Sequence, residues 1–282
     1  MQSTILLIGK NSYVGNYFER SAKAANLPII AVSSKECDFL VRDQVVQLFE
    51  SLKDTPLTVV FPAVINKSVA NSYQSYTQNL AMIDNFIAAS NSARIDSMIY
   101  FSSVDVYGNN PPQPINENST VDPDTWYGLA KYCCEWMLTR SEAVNFPVTA
   151  LRIPGIYGKS KSDRSVIGAI CKKALSEHRI TIHGAGTALR DYVYVDDLCK
   201  LIFELLPLKH HGTLNVVTGE SHSIKEVASQ VALAAQIEVE ILHEPSDTSR
   251  DFDLVFDNSK LQTLIPKFQF TDLSSGIKNY MH

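Results

Sequence analysis

The chain has 282 residues, of which 45% are hydrophobic and 20% charged, proportions that exclude disordered, collagen-like and disulfide-scaffold classes. Acidic residues outnumber basic ones 30 to 25 and no Lys/Arg run exceeds two, so nothing here condenses on a phosphate backbone and nucleic acid is not an expected partner. The five cysteines (Cys37, Cys133, Cys134, Cys171, Cys199) are odd in number and lack C-x-x-C spacing, which fits a reduced cytoplasm; the seven histidines show no metal-ligand spacing, and no metal is expected.

In chain order, the apolar run 5–8 reads as a buried strand, too short for a signal segment or a membrane span. Val14, Tyr17, Phe18, Ser21, Ala22 and Ala25 then follow at helical spacing. The alternation repeats, with strands predicted at 29–32, 58–61, 98–101 and 148–151 and helices near 43–52, 75–89 and 126–141. Regular β-α-β alternation with continuous apolar strands predicts an α/β fold, a Rossmann-type doubly wound parallel sheet. Past Arg152 the rhythm loosens into a smaller C-terminal α+β lobe, with helices near 166–176 and 195–205, a strand at 180–183, and a capping-box helix start at Ser223-Ile-Lys-Glu226. We therefore read 1–152 as one domain, to which later segments return, and 153–282 mainly as a second lobe.

The loop Ile8-Gly-Lys-Asn-Ser-Tyr-Val-Gly15 joins the first strand to the first helix, where backbone N–H groups and a positive helix end suit a pyrophosphate. Gly9 and Gly15 supply the tight turn and the helix–strand packing, while Ser12 stands where such loops usually carry a middle glycine. The candidate dinucleotide contacts here are Gly9, Lys10, Asn11, Ser12, Tyr13, Val14 and Gly15. An NAD site calls for an acid at the end of the second strand, to take the ribose 2′-OH. This strand ends Ser33-Ser34-Lys35, and those residues, with Lys10, suit the 2′-phosphate of NADP better; NAD remains the alternative.

Tyr127-Gly-Leu-Ala-Lys131 puts a phenol and an ammonium on one helical face. A nearby cation favours phenolate, and such a tyrosine passes a proton to or from a sugar oxygen while hydride moves at nicotinamide. A second Tyr-x-x-x-Lys pair occurs at Tyr157 and Lys161, but Tyr127 follows the strand whose carboxyl end carries Ser102 and Ser103, where ligands of open parallel sheets bind. Ser103 can then bond the oxygen that Tyr127 protonates.

With these residues assembled, the chain resembles the extended short-chain dehydrogenase/reductases that act on nucleotide sugars, the epimerase/dehydratase group, over nearly its whole length. The segment Phe101-Ser-Ser-Val-Asp-Val-Tyr-Gly108 resembles the SSxxVYG block, Leu151-Arg-Ile-Pro-Gly-Ile-Tyr-Gly158 the LRxxNxYG stretch, and 186–197 the GTxxRDfvyVdD block. The resemblance implies that Ser103, Tyr127 and Lys131 are catalytic and that Asp38, with Phe39 beside it, meets the adenine. It implies a cofactor contact at Ala63, a helix asparagine at Asn79, and substrate contacts at Ser103, Val104, Asp105, Tyr127 and Arg190, the last near the nucleotide phosphates. It also implies a nucleotide-sugar substrate and a homodimer formed by the helices near 75–89 and 126–141. The departures are Ser12, Gly155 for the usual asparagine, and Phe61-Pro-Ala-Val64 where HxAA is common. Dehydratases of the group carry an Asp-Glu pair after the serine or threonine, whereas here Val104 precedes Asp105, which argues against elimination of water. The expected activity is NADP-dependent reduction of a 4-keto nucleotide sugar. The alternatives are a C4 epimerase that retains NAD and, from another class, a regulator that senses NADP without turnover. Arg190 and Asp191 also admit a plain reading as a surface ion pair, and Asp196 and Asp197 one as helix caps.

Overall fold

The computed structural model of the protein describes residues 3–160, 163–245 and 252–282. The first half runs β1 (Thr4–Ile8), α1 (Tyr13–Ala24), β2 (Ile29–Val32), α2 (Arg42–Ser51), β3 (Leu57–Phe61), α3 (Tyr73–Ser90), β4 (Ile95–Ser103), a 3-10 turn (Val104–Tyr107), α4 (Trp126–Arg140) and β5 (Val148–Ile153). There follow β6 (Gly155–Tyr157), α5 (Val166–Glu177), β7 (Arg179–His183), β8 (Leu189–Tyr194), α6 (Val195–Leu205), β9 (Gly212–Asn215), β10 (Ser221–Ser223), α7 (Ile224–Ala234), β11 (Glu240–Glu244), α8 (Ser259–Leu264) and α9 (Leu273–Met281). Among the described residues no helix is long and apolar enough to cross a membrane.

The chain forms two compact units, the first comprising residues 1–108, 121–152 and 199–214, the second 109–120, 153–198 and 215–282. In the first, a six-stranded sheet has the order β2-β1-β3-β4-β5-β9, with β1 parallel to both β2 and β3, and β3 parallel to β4. The order reverses between β1 and β3, so the loops leaving their carboxyl ends diverge there and open a crevice. The strands are apolar because both faces are covered: β3 is buried at every position and β1 at four of five. Phe61 sits edge-on to Phe39 at 5.4 Å and to Phe86 at 5.8 Å, with Phe49 a further 5.6 Å from Phe86. These edge-to-face contacts knit α2 and α3 to β3.

One buried polar cluster stands out in this apolar surround. Arg152 on β5 and Glu135 on α4 are 4% and 2% exposed, and the guanidinium grips the carboxylate through Nη2 at 2.8 Å and through Nε at 3.1 and 3.3 Å. Arg152 Nη1 donates to the Tyr107 hydroxyl at 3.0 Å and the guanidinium lies 4.9 Å from that ring's centre, while the Ser102 hydroxyl donates to Glu135.

The second unit holds a three-stranded sheet, β10-β8-β6, with β10 antiparallel and β6 parallel to β8, and a parallel pair β11–β7. Helices α5, α7 and α9 bury Ile170, Cys171, Val227, Val231 and Ile277 together. Helix α7 starts with a reciprocal capping box, Ser223 Oγ accepting from the Glu226 N–H at 3.1 Å and Glu226 accepting from the Ser223 N–H at 2.7 Å.

Truncating one member of the Arg152–Glu135 pair strands the other charge in the core. Glu135→Ala is expected to lower the unfolding free energy in urea by about 3–5 kcal/mol, and the double replacement by Met at both positions to recover most of it. Equal losses in the single and double variants would show that the ion pair is not what positions these elements.

Candidate active site

The loop between β1 and α1 is tight enough to need glycine at two points. Gly9 has φ +108°, and a Cβ there would come within 2.9 Å of the Ala63 backbone nitrogen at the end of β3. Ala63 N–H in turn donates to the Ile8 carbonyl at 3.1 Å. A Cβ on Gly15 would meet the Gly9 carbonyl oxygen at 2.2 Å. Ser12 needs no glycine: its φ of −68° is ordinary, and its Oγ accepts the Gly15 N–H at 3.0 Å as the N-cap of α1. A loop this compact at a helix N-terminus, with glycines where the backbone closes on itself, is chemically suited to a pyrophosphate, so the residues present fit a dinucleotide.

At the end of β2 the structure places a residue that the sequence reading passed over. Glu36 folds back to accept from Lys10 Nζ at 2.7 Å, from the Ser33 N–H at 2.9 Å, and from the Ser33 hydroxyl. The Lys10 bond, then those from Ser33, hold the Glu36 carboxyl down to about 2. Two of the groups assigned to a 2′-phosphate thus already serve a carboxylate, while Ser34 and Lys35 stay exposed. The signal was in the sequence: Ser33-x-x-Glu36 is the spacing of a reciprocal side chain–backbone clasp. Asp38 Oδ1 accepts the Leu40 N–H at 3.0 Å, and the Phe39 ring is buried in the core.

Tyr127, Lys131 and Ser103 come together. Tyr127 lies in the first turn of α4, whose N-cap Thr125 accepts the Gly128 N–H at 3.0 Å, and Ser103 ends β4. Burial pushes the Tyr127 phenol well above its ordinary value and the Asp105 carboxylate pushes it further, while a hydrogen bond from Ser103 works the other way. Lys131 is 2% exposed; its Nζ donates to the Phe101 carbonyl, lies 4.9 Å from the centre of the Tyr100 ring and 5.7 Å from that of Tyr127. Burial pulls it down to about 8. Lys131 and Tyr127 thus lie together as their spacing predicts, and burial resists the charged form of each.

The loop from β3 to α3 also reaches this place. Asn79 on α3 binds both the N–H and the C=O of Ile65, at 2.8 and 3.2 Å, and Asn71 accepts the Tyr127 N–H at 3.1 Å. Lys67, between them, ion-pairs with Asp105. Nothing periodic marks that loop, so Lys67 was not legible in the sequence. Val104 is half-buried in the 3-10 turn.

In the second unit, Arg190 on β8 gives Nη1 to the carbonyls of Leu189 and Phe252 and lies 5.2 Å from the Phe252 ring centre. It is not Asp191's partner: Asp191 faces the other side of the strand and binds Thr218 and Gly219, and burial first of all raises it to about 6. Asp197 accepts the Thr271 N–H at 2.6 Å. Tyr157 is a core residue whose hydroxyl has no hydrogen-bond partner among the described residues; Lys161 lies outside them.

Comparison with known proteins gives concordant results. The model of the NAD dependent epimerase/dehydratase family matches residues 5–217. A UDP-glucose 4-epimerase of Lactobacillus helveticus is 27% identical over 237 residues, covering 74% of this chain and 71% of that protein. Among solved structures, RMD of Pseudomonas aeruginosa complexed with NADPH superposes with a TM-score of 0.83 at 21% identity, covering 99% of this chain and 98% of that one. A GDP-6-OMe-4-keto-L-xylo-heptose reductase from C. jejuni does so with a TM-score of 0.80 at 19% identity, covering 99% and 97%. At these identities the structures show the shared fold, the Rossmann-type α/β architecture.

Lys131 is a fully buried cation held against its desolvation cost. Lys131→Met should therefore unfold at higher denaturant than the parent at pH 7, by about 1–3 kcal/mol, because a group whose value falls on folding disfavours the folded state wherever it is charged. A destabilised variant would mean that the bond to Phe101 outweighs the burial.

Proposed function

Because the chain belongs to the NAD dependent epimerase/dehydratase family, nicotinamide-dependent enzymes of nucleotide sugars, we propose that it reduces a keto group at C4 of a nucleotide-linked deoxysugar. What supports this reading is the meeting of Ser103, at the end of β4, with Tyr127 and Lys131 on α4, whose ammonium lies 5.7 Å from the phenol ring's centre, together with the apolar Val104 that follows Ser103. A dinucleotide held by the loop between β1 and α1 would supply the hydride. Tyr127 gives its proton to the oxygen that becomes an alkoxide, and Ser103, hydrogen-bonded to the phenol, orients that same oxygen. Lys131 holds positive charge behind the phenol and stabilises the phenolate left after transfer. Val104 presents no acid where elimination of water would need one.

We assign the dinucleotide to residues 1–152, with Gly9 to Gly15, Ser33, Ser34, Lys35, Asp38 and Ala63 around it, and the nucleotide sugar mainly to 153–282, with Arg190 at its phosphates. NADP is the cofactor of this reading, and its 2′-phosphate would take Lys10 and Ser33 from Glu36. One observation favours a second reading. The Glu36 carboxylate at the end of β2 suits the 2′-OH of NAD, and a retained NAD suits a C4 epimerase. We also propose a cytoplasmic homodimer. The five reduced thiols and the outward aromatic rings of Tyr73 and Trp136, 64% and 59% exposed on α3 and α4, support it.

Three measurements test these assignments. Nucleotide released from denatured, freshly purified protein decides between the readings: stoichiometric NAD supports the epimerase, and an empty site that binds NADPH supports the reductase. Tyr127→Phe should lower turnover of a 4-keto nucleotide sugar about 10²-fold or more, and survival within a few-fold would remove the phenol from the reaction. Trp136→Glu should turn a dimer into a monomer in sedimentation equilibrium; an unchanged mass would place any interface elsewhere.

A further inference from the structure

The loop spanning 62–72 is clamped on both sides of Lys67. Asn79 fixes Ile65 through both its backbone groups, and Asn71 takes the N–H of Tyr127 itself at 3.1 Å. Between these anchors the Lys67 ammonium is bonded to Asp105 and stands 5.8 Å from the centre of the Tyr127 ring. Asp105 is equally constrained. Its N–H donates to Ser103 Oγ at 3.2 Å, and its carbonyl presses on α4 so closely that a Cβ on Gly128 would lie 2.6 Å from it. Backbone contacts from β4, the 3-10 turn, α3 and α4 thus fix where Lys67 and Asp105 meet, and they meet beside the phenol.

We propose that Lys67 is a positioning residue: by holding the Asp105 carboxylate in an ion pair beside Tyr127, it sets the charge that the phenol faces, so the β3–α3 loop tunes the proton donor carried by α4. The inference rests on the reading of Tyr127 as that donor. The groups facing the phenol are Lys131 from its own helix, Tyr100 and Ser103 from β4, Asp105 from the turn and Lys67 from the loop. Burial above all, and then Asp105, keep the proton on the phenol, and Ser103 draws the other way. Lys131 sits behind, committed to the Phe101 carbonyl, and Lys67 is the cation that touches Asp105. The Lys67 side chain is 51% exposed and that of Asp105 23%, so water screens the pair and its influence belongs at the lower end of charge-pair effects.

The test places a ring-trifluorinated tyrosine at position 127 of the full chain, which brings the phenol's ionisation into a range where the protein stays folded, and follows it by fluorine NMR without cofactor or substrate. Lys67→Met should move the midpoint up by about half to one pH unit, a three- to tenfold change in the proton dissociation constant. Lys67→Arg should leave it within about 0.2 unit, a margin far below the one-unit scale of a charge-pair effect. Asp105→Asn should move it down. In the Asp105→Asn background Lys67→Met should act less than half as strongly, because the carboxylate it positions is gone. An unmoved midpoint overturns the proposal. So does an equal shift in both backgrounds, which would make Lys67 a bare charge acting directly. The readout needs no turnover, so an active Tyr127→Phe enzyme would remove the functional reading while the titration still decides whether Lys67 controls the phenol.

Discussion

The arrangement of the site depends on the salt bridge between Arg152 and Glu135. Tyr127, Lys131 and Glu135 are spaced by four residues along α4 and therefore share a face. Once Glu135 is fixed to β5 by three guanidinium contacts, the rotation of α4 about its axis is fixed too, and Tyr127 and Lys131 must face the carboxyl end of β4. The same carboxylate takes the Ser102 hydroxyl, next to Ser103, and the same guanidinium takes Tyr107, which closes the 3-10 turn carrying Asp105. A buried ion pair contributes little net stability over a well-packed apolar substitute, and its value here lies in register: it admits one orientation of the helix where leucines would admit several.

That scaffold buries two ionisable groups side by side, where desolvation resists the charged form of each. Lys131 is buried and drawn toward neutrality, Tyr127 is buried and held protonated, and neither group relieves the other while both are desolvated. For the proposed proton donor this has a use: the phenol resists ionisation until a negative oxygen develops on a substrate, with the Lys131 cation behind it. Beyond the carboxyl ends of β1 and β2 the balance is opposite. Glu36 and the partly exposed Lys10 close over the buried Ser33 and satisfy one another, so the group that is reluctant to change there is a carboxylate held ionised.

The sheet of the first unit was legible because its strands are continuous apolar runs and its first helix carries a clear amphipathic period; the observed β1 to β5 and α1 to α4 follow the predicted spans closely. The second unit was harder to read for a physical reason. Strands of three residues such as Gly155–Tyr157 and Ser221–Ser223 are too short to show alternation, and β8, Leu189–Tyr194, carries Arg190 and Asp191 as neighbours that look like an ion pair in sequence. The pleat sends the two to opposite faces, and they find different partners. In the site, Ser103, Tyr127 and Lys131 were readable from spacing and context. Glu135 was not, since a glutamate on a helix normally marks its wet face, and only an arginine inside the apolar run of β5 hinted at a buried partner. Lys67 lies in a loop with no pattern at all, and its place is set by the two asparagines that clamp its backbone.

Ser12 shows how a departure from a motif is judged by geometry and not by the count of glycines. The two positions at which a side chain is sterically excluded are Gly9 and Gly15, one by its positive φ and the Ala63 backbone, the other by the Gly9 carbonyl. At position 12 the backbone is extended, so a Cβ brings no strain, and the hydroxyl oxygen takes up the Gly15 N–H that would otherwise be an open donor at the start of α1. One N–H is turned inward by this bond, but the serine brings an O–H of its own, and that proton is not used in the cap because the oxygen acts there as acceptor. The donor capacity of the helix end is thus moved from a backbone nitrogen to a side-chain oxygen. A loop with serine here keeps its cradle, provided that the glycines on either side allow the backbone to close around it.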